Sequence, residues 1–423
     1  MRSELAVFRA ATRLNYSRRG LQPERRVAIV VPGLSDGGGV PAVAFFVREL
    51  LHRSGRYIAD LVSIATSSSD VASVRLCSPR SWCRGPQEIR GTWAGIPFKH
   101  VGAYLVEFEP IRYLPRRRLT ELLNDYDLVQ VVAGTAAPAC TVQAVRRPKC
   151  LSVATTIFQD RRSALAKKRG FEKVWRRTMT DVNDVLERRG LARMDHVFAQ
   201  SSYTHKLLRP MLSDGRLSLG PPGVDTSLFR PGHRDSGDGY ILSVARFSDP
   251  RKNVELLFRA YALVRAALSR PPRLVLAGTT GPTQANWALA RELGIAAWID
   301  FQENPPIEEL ARLYRAATVF ALSSDEEGFG LVLLEAMASG VALVSTRCGG
   351  PESIVTDGQT GYLTPVGDHH ALAARLSELL EDGQLRRCMA YAGRRRALER
   401  FSIEVAGAPY LRVYDGLLAA QTH

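Results

Sequence analysis

The sequence predicts an α/β protein of two domains, each built on a parallel sheet, from three observations. From Val27 onward, short apolar runs rich in β-branched residues alternate with amphipathic stretches of helical length, the pattern of βα units. The alternation stops in a turn-rich stretch at 220–239, of linker composition, and then restarts. The chain has 423 residues, enough for two domains at about 100–200 residues each. Hydrophobic residues make up 45% and charged residues 23%, which supplies a core and excludes global disorder.

Taken in order, residues 1–26 form a basic arm with seven arginines and only Glu4 and Glu24 as acids. A frayed arm is the plain expectation, and an anionic-surface helix or a transit peptide are the alternatives. Residues 27–31 read as the first strand, followed by a glycine loop and a helix over 41–52. Further strands are expected at 128–132, 151–155 and 196–199, with a charged helical segment over 160–193 that holds eleven Lys or Arg against five Asp or Glu. After the linker, strands follow at 240–244, 273–277, 298–301, 318–322 and 342–345. The expected domains are 27–230 and 231–400.

Charge is divided unevenly. Residues 1–230 carry 37 basic and 20 acidic side chains, whereas 231–423 carry 20 and 22. The whole net charge of +15 therefore lies in the first half, as expected if that half faces an acidic partner. The six cysteines form no CxxC pair and no zinc-ligand spacing, which fits a reducing, cytoplasmic setting. No apolar run reaches the roughly 20 residues of a spanning helix, so a soluble or peripheral protein is expected.

Four segments carry chemistry. In Gly33-Leu-Ser-Asp-Gly-Gly-Gly-Val-Pro41, consecutive glycines between strand and helix let a ligand approach the backbone, and a helix start favours an anion. It is neither GxGxxG nor a Walker loop. In Arg246-Phe-Ser-Asp249-Pro-Arg-Lys252, Asp249 reads as an N-cap, which places Arg251 and Lys252 in the first turn against the helix dipole. A diphosphate held between Arg246 and Lys252 would relieve that conflict. In Ser323-Ser-Asp-Glu-Glu327-Gly-Phe-Gly330-Leu-Val-Leu-Leu-Glu335, a carboxylate interrupts an apolar helix, which is costly unless it is hydrogen-bonded, and ligand hydroxyls would do so. Eight residues of helix would separate Glu327 from Glu335 by about 12 Å, too far for a glycosidase pair but suited to two acids on one elongated ligand. Cys348-Gly-Gly-Pro-Glu352 is a glycine turn entering a short helix, structural or ligand-binding.

Taken together, EGFGLVLLEAMASG at 327–340, SVARFSDPRKN at 243–253, the Gly37–Gly39 loop, PGVDTSLFRP, LVLAG and CGGPESIVTDGQTGYL resemble the family-4 retaining glycosyltransferases of GT-B fold. The resemblance is dense over the second half and thin over the first. It implies two Rossmann-like α/β domains facing across a cleft, the first binding the acceptor and the second the nucleotide sugar, with residues 401–423 crossing back as a helix. Glu335 would hold the ribose, Arg246 and Lys252 the diphosphate, and Glu327 the transferred sugar. Gly38 and Gly39 would face them, and amides near Phe329, Gly330 and Leu331 would complete the phosphate cradle.

The implied activity is retaining transfer of a hexosyl group from a UDP- or GDP-sugar to a glycan or lipid-linked acceptor, in cell-surface polysaccharide or glycolipid synthesis. An anionic membrane surface, at the inner face of the membrane, is a further candidate partner; nucleic acid is not expected. A sugar-nucleotide isomerase or hydrolase, or a non-catalytic anionic-surface scaffold, are the alternatives. Two positions depart from the family. No histidine lies between His100 and His196, so Thr155, Thr156 or Asp160 would serve on the acceptor side, and Phe301-Gln-Glu303 replaces the usual Phe-x-Gly near the base. Asp125-Tyr-Asp127 precedes a strand, the wrong end for a metal-binding DxD, and no cofactor or essential metal is expected.

Overall fold

The computed structural model describes residues 25–34, 38–166, 169–232 and 239–421. The basic arm up to residue 24, Gly37, Lys167 and Lys168, and the part of the expected linker at 233–238 lie outside the described residues.

The first sheet contains β1 (Arg25–Pro32), β2 (Tyr57–Ile64), β3 (Glu88–Trp93), β4 (Ile96–Val101), β5 (Leu128–Ala133), β6 (Lys149–Val153), β7 (His196–Ala199) and β8 (Leu217–Leu219). Their spatial order is β3-β4-β2-β1-β5-β6-β7-β8, parallel except for the β3–β4 hairpin. The second sheet contains β9 (Tyr240–Val244), β10 (Leu274–Gly278), β11 (Ile299–Glu303), β12 (Ala317–Leu322), β13 (Ala342–Thr346) and β14 (Tyr362–Thr364). It runs β11-β10-β9-β12-β13-β14, all parallel, which is the doubly wound Rossmann order.

Helices cover both faces of each sheet, so alternate residues of a strand enter different cores. Val27, Ile29 and Val31 face the helix Gly39–Ser54, whereas Ala28 and Val30 join the core on the opposite side. The second domain repeats this, with Ile241 on one face and Leu242 and Val244 on the other.

The last helix, Ile403–Ala419, packs on the first domain although the chain has just left the second. Tyr410 stacks on Phe198 at 4.0 Å and donates to the Gly220 carbonyl, and Tyr414 donates to Gln130 Oε1. Val224 bridges to Ser402 where the two crossings run side by side.

The strands expected from sequence all form, within two residues at their ends. β2, the β3–β4 hairpin, β8 and β14 were not anticipated. The charged segment expected as one helix over 160–193 is two, Ile157–Ala166 and Gly170–Ala192, and Gly170 begins the second with φ +60°.

Candidate active site

In each sheet the strand order reverses beside its first strand, at β1/β5 and at β9/β12. Loops leaving the carboxyl ends of strands at such a reversal diverge and open a crevice. The loops after β1, β9 and β12 hold three of the four predicted segments, and they line one cavity of about 530 Å³ between the domains.

Gly38 and Gly39 form the wall contributed by the first domain. Gly38 sits at φ +96°, and a Cβ there would lie 3.6 Å from Arg246 Cζ. That distance is ordinary contact, so the positive φ is what favours glycine here, and the Arg246 guanidinium packs against this wall from across the cleft. Gly328 is packed harder, since its added Cβ would meet Ala154 Cβ at 2.7 Å.

The cations are arranged differently from expectation. Pro250–Lys252 is a single 3₁₀ turn, and the helix proper, Val254–Ala267, is capped by Asn253 in the left-handed region. Arg251 and Lys252 therefore do not oppose the first turn of a long helix, and carboxylates already balance them. Arg251 donates Nε and Nη2 to Asp249, and Nη1 to Asp160 of the other domain at 2.5 Å. Burial alone would raise the Asp249 carboxyl, but these Arg251 contacts bring it down to about 2. Lys252 Nζ donates to Glu327 Oε1 at 2.7 Å, and Ser324 Oγ donates to the same oxygen. Arg246 is the most open of the three, 41% exposed and 3.6 Å from Asp249.

The spacing of the two glutamates is also corrected. The helix Leu331–Ala338 begins only four residues before Glu335, with Gly330 as an N-cap at φ +100° and no capping side chain. Glu327 lies in the preceding loop, where its backbone bridges to Gly349, so eight residues of helix do not separate the acids. Glu335 lines the cavity, and burial pushes its carboxyl up to about 7, against a 2.7 Å hydrogen bond from Tyr314 Oη.

Phe329, Gly330 and Leu331 line the cavity, as do Asp160 and Thr155, but Thr156 does not. The Thr156 carbonyl instead receives the Asp160 amide at the start of its helix. Cys348 and Gly350 stand behind the site: the Cys348 carbonyl accepts from Glu327 N, and Gly350 N donates to the Glu327 carbonyl, which fixes the loop. Asp127 accepts from the Arg26 amide at the start of β1, the end of the strand away from the cavity. Among the described residues no group of three or more His, Cys, Asp or Glu could hold a metal ion.

Residue-type reasoning missed Tyr314, and also Gly278, Thr279, Asn304 and Pro305, which line the cavity after β10 and β11. The available signal was position alone, because carboxyl ends of adjacent strands border such a crevice.

Residues 225–396 match the family of glycosyl transferases group 1. The chain is 29% identical over 317 residues to the GDP-mannose-dependent alpha-(1-6)-phosphatidylinositol monomannoside mannosyltransferase of Mycolicibacterium smegmatis, covering 71% of this chain and 79% of that protein. It is 27% identical over 407 residues to the D-inositol 3-phosphate glycosyltransferase of Nocardia farcinica, covering 92% and 85%. Other relatives match over about half of their own length. Sucrose-phosphate synthase from Thermosynechococcus elongatus superposes with a TM-score of 0.69 at 22% identity, covering 94% of this chain and all of that one. The protein thus has the two-domain GT-B fold, and its residues 225–396 match the group 1 glycosyl transferases.

Proposed function

We propose that this protein is a retaining glycosyltransferase that moves a hexosyl group from a UDP- or GDP-sugar to a glycan or lipid-linked acceptor, in cell-surface polysaccharide or glycolipid synthesis. The observation that carries this is the convergence of Arg246, Lys252, Glu327 and Glu335 on one cavity closed by Gly38. The domain spanning 231–400 would take the nucleotide sugar and that spanning 27–230 the acceptor. Residues 401–423 would tie the two together.

In this assignment Glu335, held by Tyr314, accepts from the ribose hydroxyls. Arg246 and Lys252 bind the diphosphate and stabilise the charge that grows on it as the glycosidic bond breaks. Lys252 exchanges Glu327 for phosphate, which frees that carboxylate to accept from sugar hydroxyls. The leaving phosphate takes the acceptor proton on the face it departs from, so configuration is retained. The opposite wall, with Thr155 and Asp160, receives the acceptor, while Thr156 supports that wall from behind.

An anionic membrane surface is the proposed place of work, at the cytoplasmic face. On the helix Gly170–Ala192, Val174, Trp175, Val182 and Val185 are exposed beside exposed Lys173, Arg176 and Arg177. Apolar groups would enter the interface, and each cation adds about 1 kcal/mol near anionic lipid. Among the described residues no helix is long and apolar enough to cross a membrane.

The deciding experiment measures nucleotide release from a panel of UDP-, GDP- and ADP-sugars. Release from one donor, raised by acceptor extract, is expected; no binding and no release with any donor overturns the assignment.

A further inference from the structure

We propose that Thr155, Asp160 and Glu326 form the acceptor subsite, and that it admits a neutral sugar or polyol hydroxyl while turning away an acceptor with a phosphate beside that hydroxyl. This rests on glycosyl transfer as the reaction at the cavity, and it adds the chemistry of the acceptor.

Glu326 precedes Glu327 in the loop after β12 and lines the same cavity from the second domain. Its Oε1 is buried and has no hydrogen-bond partner among the described residues. Thr155 lines the cavity from the first domain, is only 5% exposed, and its Oγ1 is likewise buried without a partner. Each such atom has lost its hydration with nothing in exchange, so two of them on residues that line one cavity mark a place where a ligand supplies the missing bonds.

The charges here select the ligand's chemistry. Asp160, Arg251, Glu327 and Arg162 face Glu326. Arg251 already donates to Asp249 and Asp160, and Lys252 to Glu327. Burial, with Asp160 and Glu327 nearby, pushes the Glu326 carboxyl up to about 7 against the pull of Arg251 and Arg162. An incoming phosphate would therefore meet three carboxylates, with Arg251 and Lys252 already engaged. A hydroxyl can both donate to Glu326 and accept from Thr155. Of the other cations nearby, Arg246 is the one assigned to the donor diphosphate, and Arg162 is exposed and does not line the cavity, so a charged part of the acceptor has its partners at the rim and beyond.

The test follows nucleotide release from the donor found by the panel, with two probe pairs: methyl α-mannoside and its 6-phosphate, and myo-inositol and inositol 3-phosphate. Each phosphorylated probe is expected to have kcat/KM about tenfold or more below its neutral parent. Glu326→Gln should narrow that gap at least about threefold, and Glu326→Lys should reverse it, with the donor KM unchanged. Preference of the wild type for the phosphorylated probes, an unchanged ratio in both variants, or no acceleration by either neutral probe overturns the subsite. These results leave donor binding intact, whereas a protein that neither binds nor cleaves any donor loses the glycosyl-transfer assignment as well.

Discussion

At the scale of single residues, Arg246 and Lys252 are expected to act on the transition state more than on binding. Replacing either by Ala should lower nucleotide release by about 100- to 1000-fold, the usual effect of removing one preorganised charge, as read from single-turnover rates. Glu335 makes a second, pH-dependent prediction. Its carboxyl is raised to about 7 by burial, so the fold keeps a proton that the unfolded chain has lost. That contribution to stability is complete below the ordinary carboxyl range and is lost as pH rises through about 7. The thermal midpoint of the free protein should fall between pH 5 and about 8, and Glu335→Gln should remove part of the fall. If ribose hydroxyls donate to an ionised Glu335, nucleotide binding at pH 6 should release a proton. Calorimetry in buffers of differing ionisation enthalpy would show this for the wild type and not for Glu335→Gln.

Glu335 was legible in the sequence because a charge broke an apolar run. Its partner Tyr314 was not, since it lies on another helix, 21 residues earlier, and reads as an ordinary core aromatic.

At the scale of elements, caps and glycines set the geometry that the cations exploit. Asn253 holds φ +44° and its Oδ1 accepts from the Leu256 amide, so it both ends the Pro250–Lys252 turn and starts the next helix. Asn253→Ala should cost about 1–2 kcal/mol by denaturant unfolding and weaken nucleotide binding through Lys252, while Asn253→Gly should cost less. The helix carrying Asp160 and the helix Gly170–Ala192 are joined through Glu187, whose carboxylate accepts from the Ile157 and Ala136 amides. Glu187→Ala should leave both amides unpaired and loosen the wall that holds Thr155. The loss should appear in acceptor KM before donor KM.

The glycine loop after β1 could be read from composition as a tight turn or a ligand's approach, because three consecutive glycines clear the side chains between strand and helix, and only the fold decides that it borders the cavity. The division of the charged segment could not, because its periodicity continues through Gly170 and only the positive φ there reveals the restart.

At the scale of the whole molecule, the helix Ile403–Ala419 is a clasp built from tyrosines. Tyr410 is fully buried between Phe46 and Phe198, so Tyr410→Ala should cost about 3–5 kcal/mol in urea unfolding, whereas Tyr410→Phe should cost only about 1 kcal/mol for its hydrogen bonds. The surface of Gly170–Ala192 gives the molecule-wide prediction. Flotation with anionic vesicles should fall several-fold in the Trp175→Ser, Arg176→Ser, Arg177→Ser triple variant, while donor turnover in solution is unchanged. Equal flotation of that variant would remove the membrane from the proposed function.

The sequence by itself determined the two parallel sheets, since strands buried on both faces must be apolar and short, and that pattern is local. It also determined which loops carry Arg246, Lys252, Glu327 and Glu335 to the cavity, because glycines and isolated charges stand out in apolar runs. Only the tertiary structure decided how those charges pair. Asp160 and Arg251 lie 91 residues apart in different domains, one on the helix after β6 and one in the turn after β9, and their ion pair exists only because the two domains face each other across one cleft. The same closure brings Thr155 and Glu326 to one cavity, and the strongly basic first domain lines that cavity with one charged residue, the acid Asp160. Net charge is a sum along the chain, whereas the field at a site depends on distance, and folding alone fixes the distances.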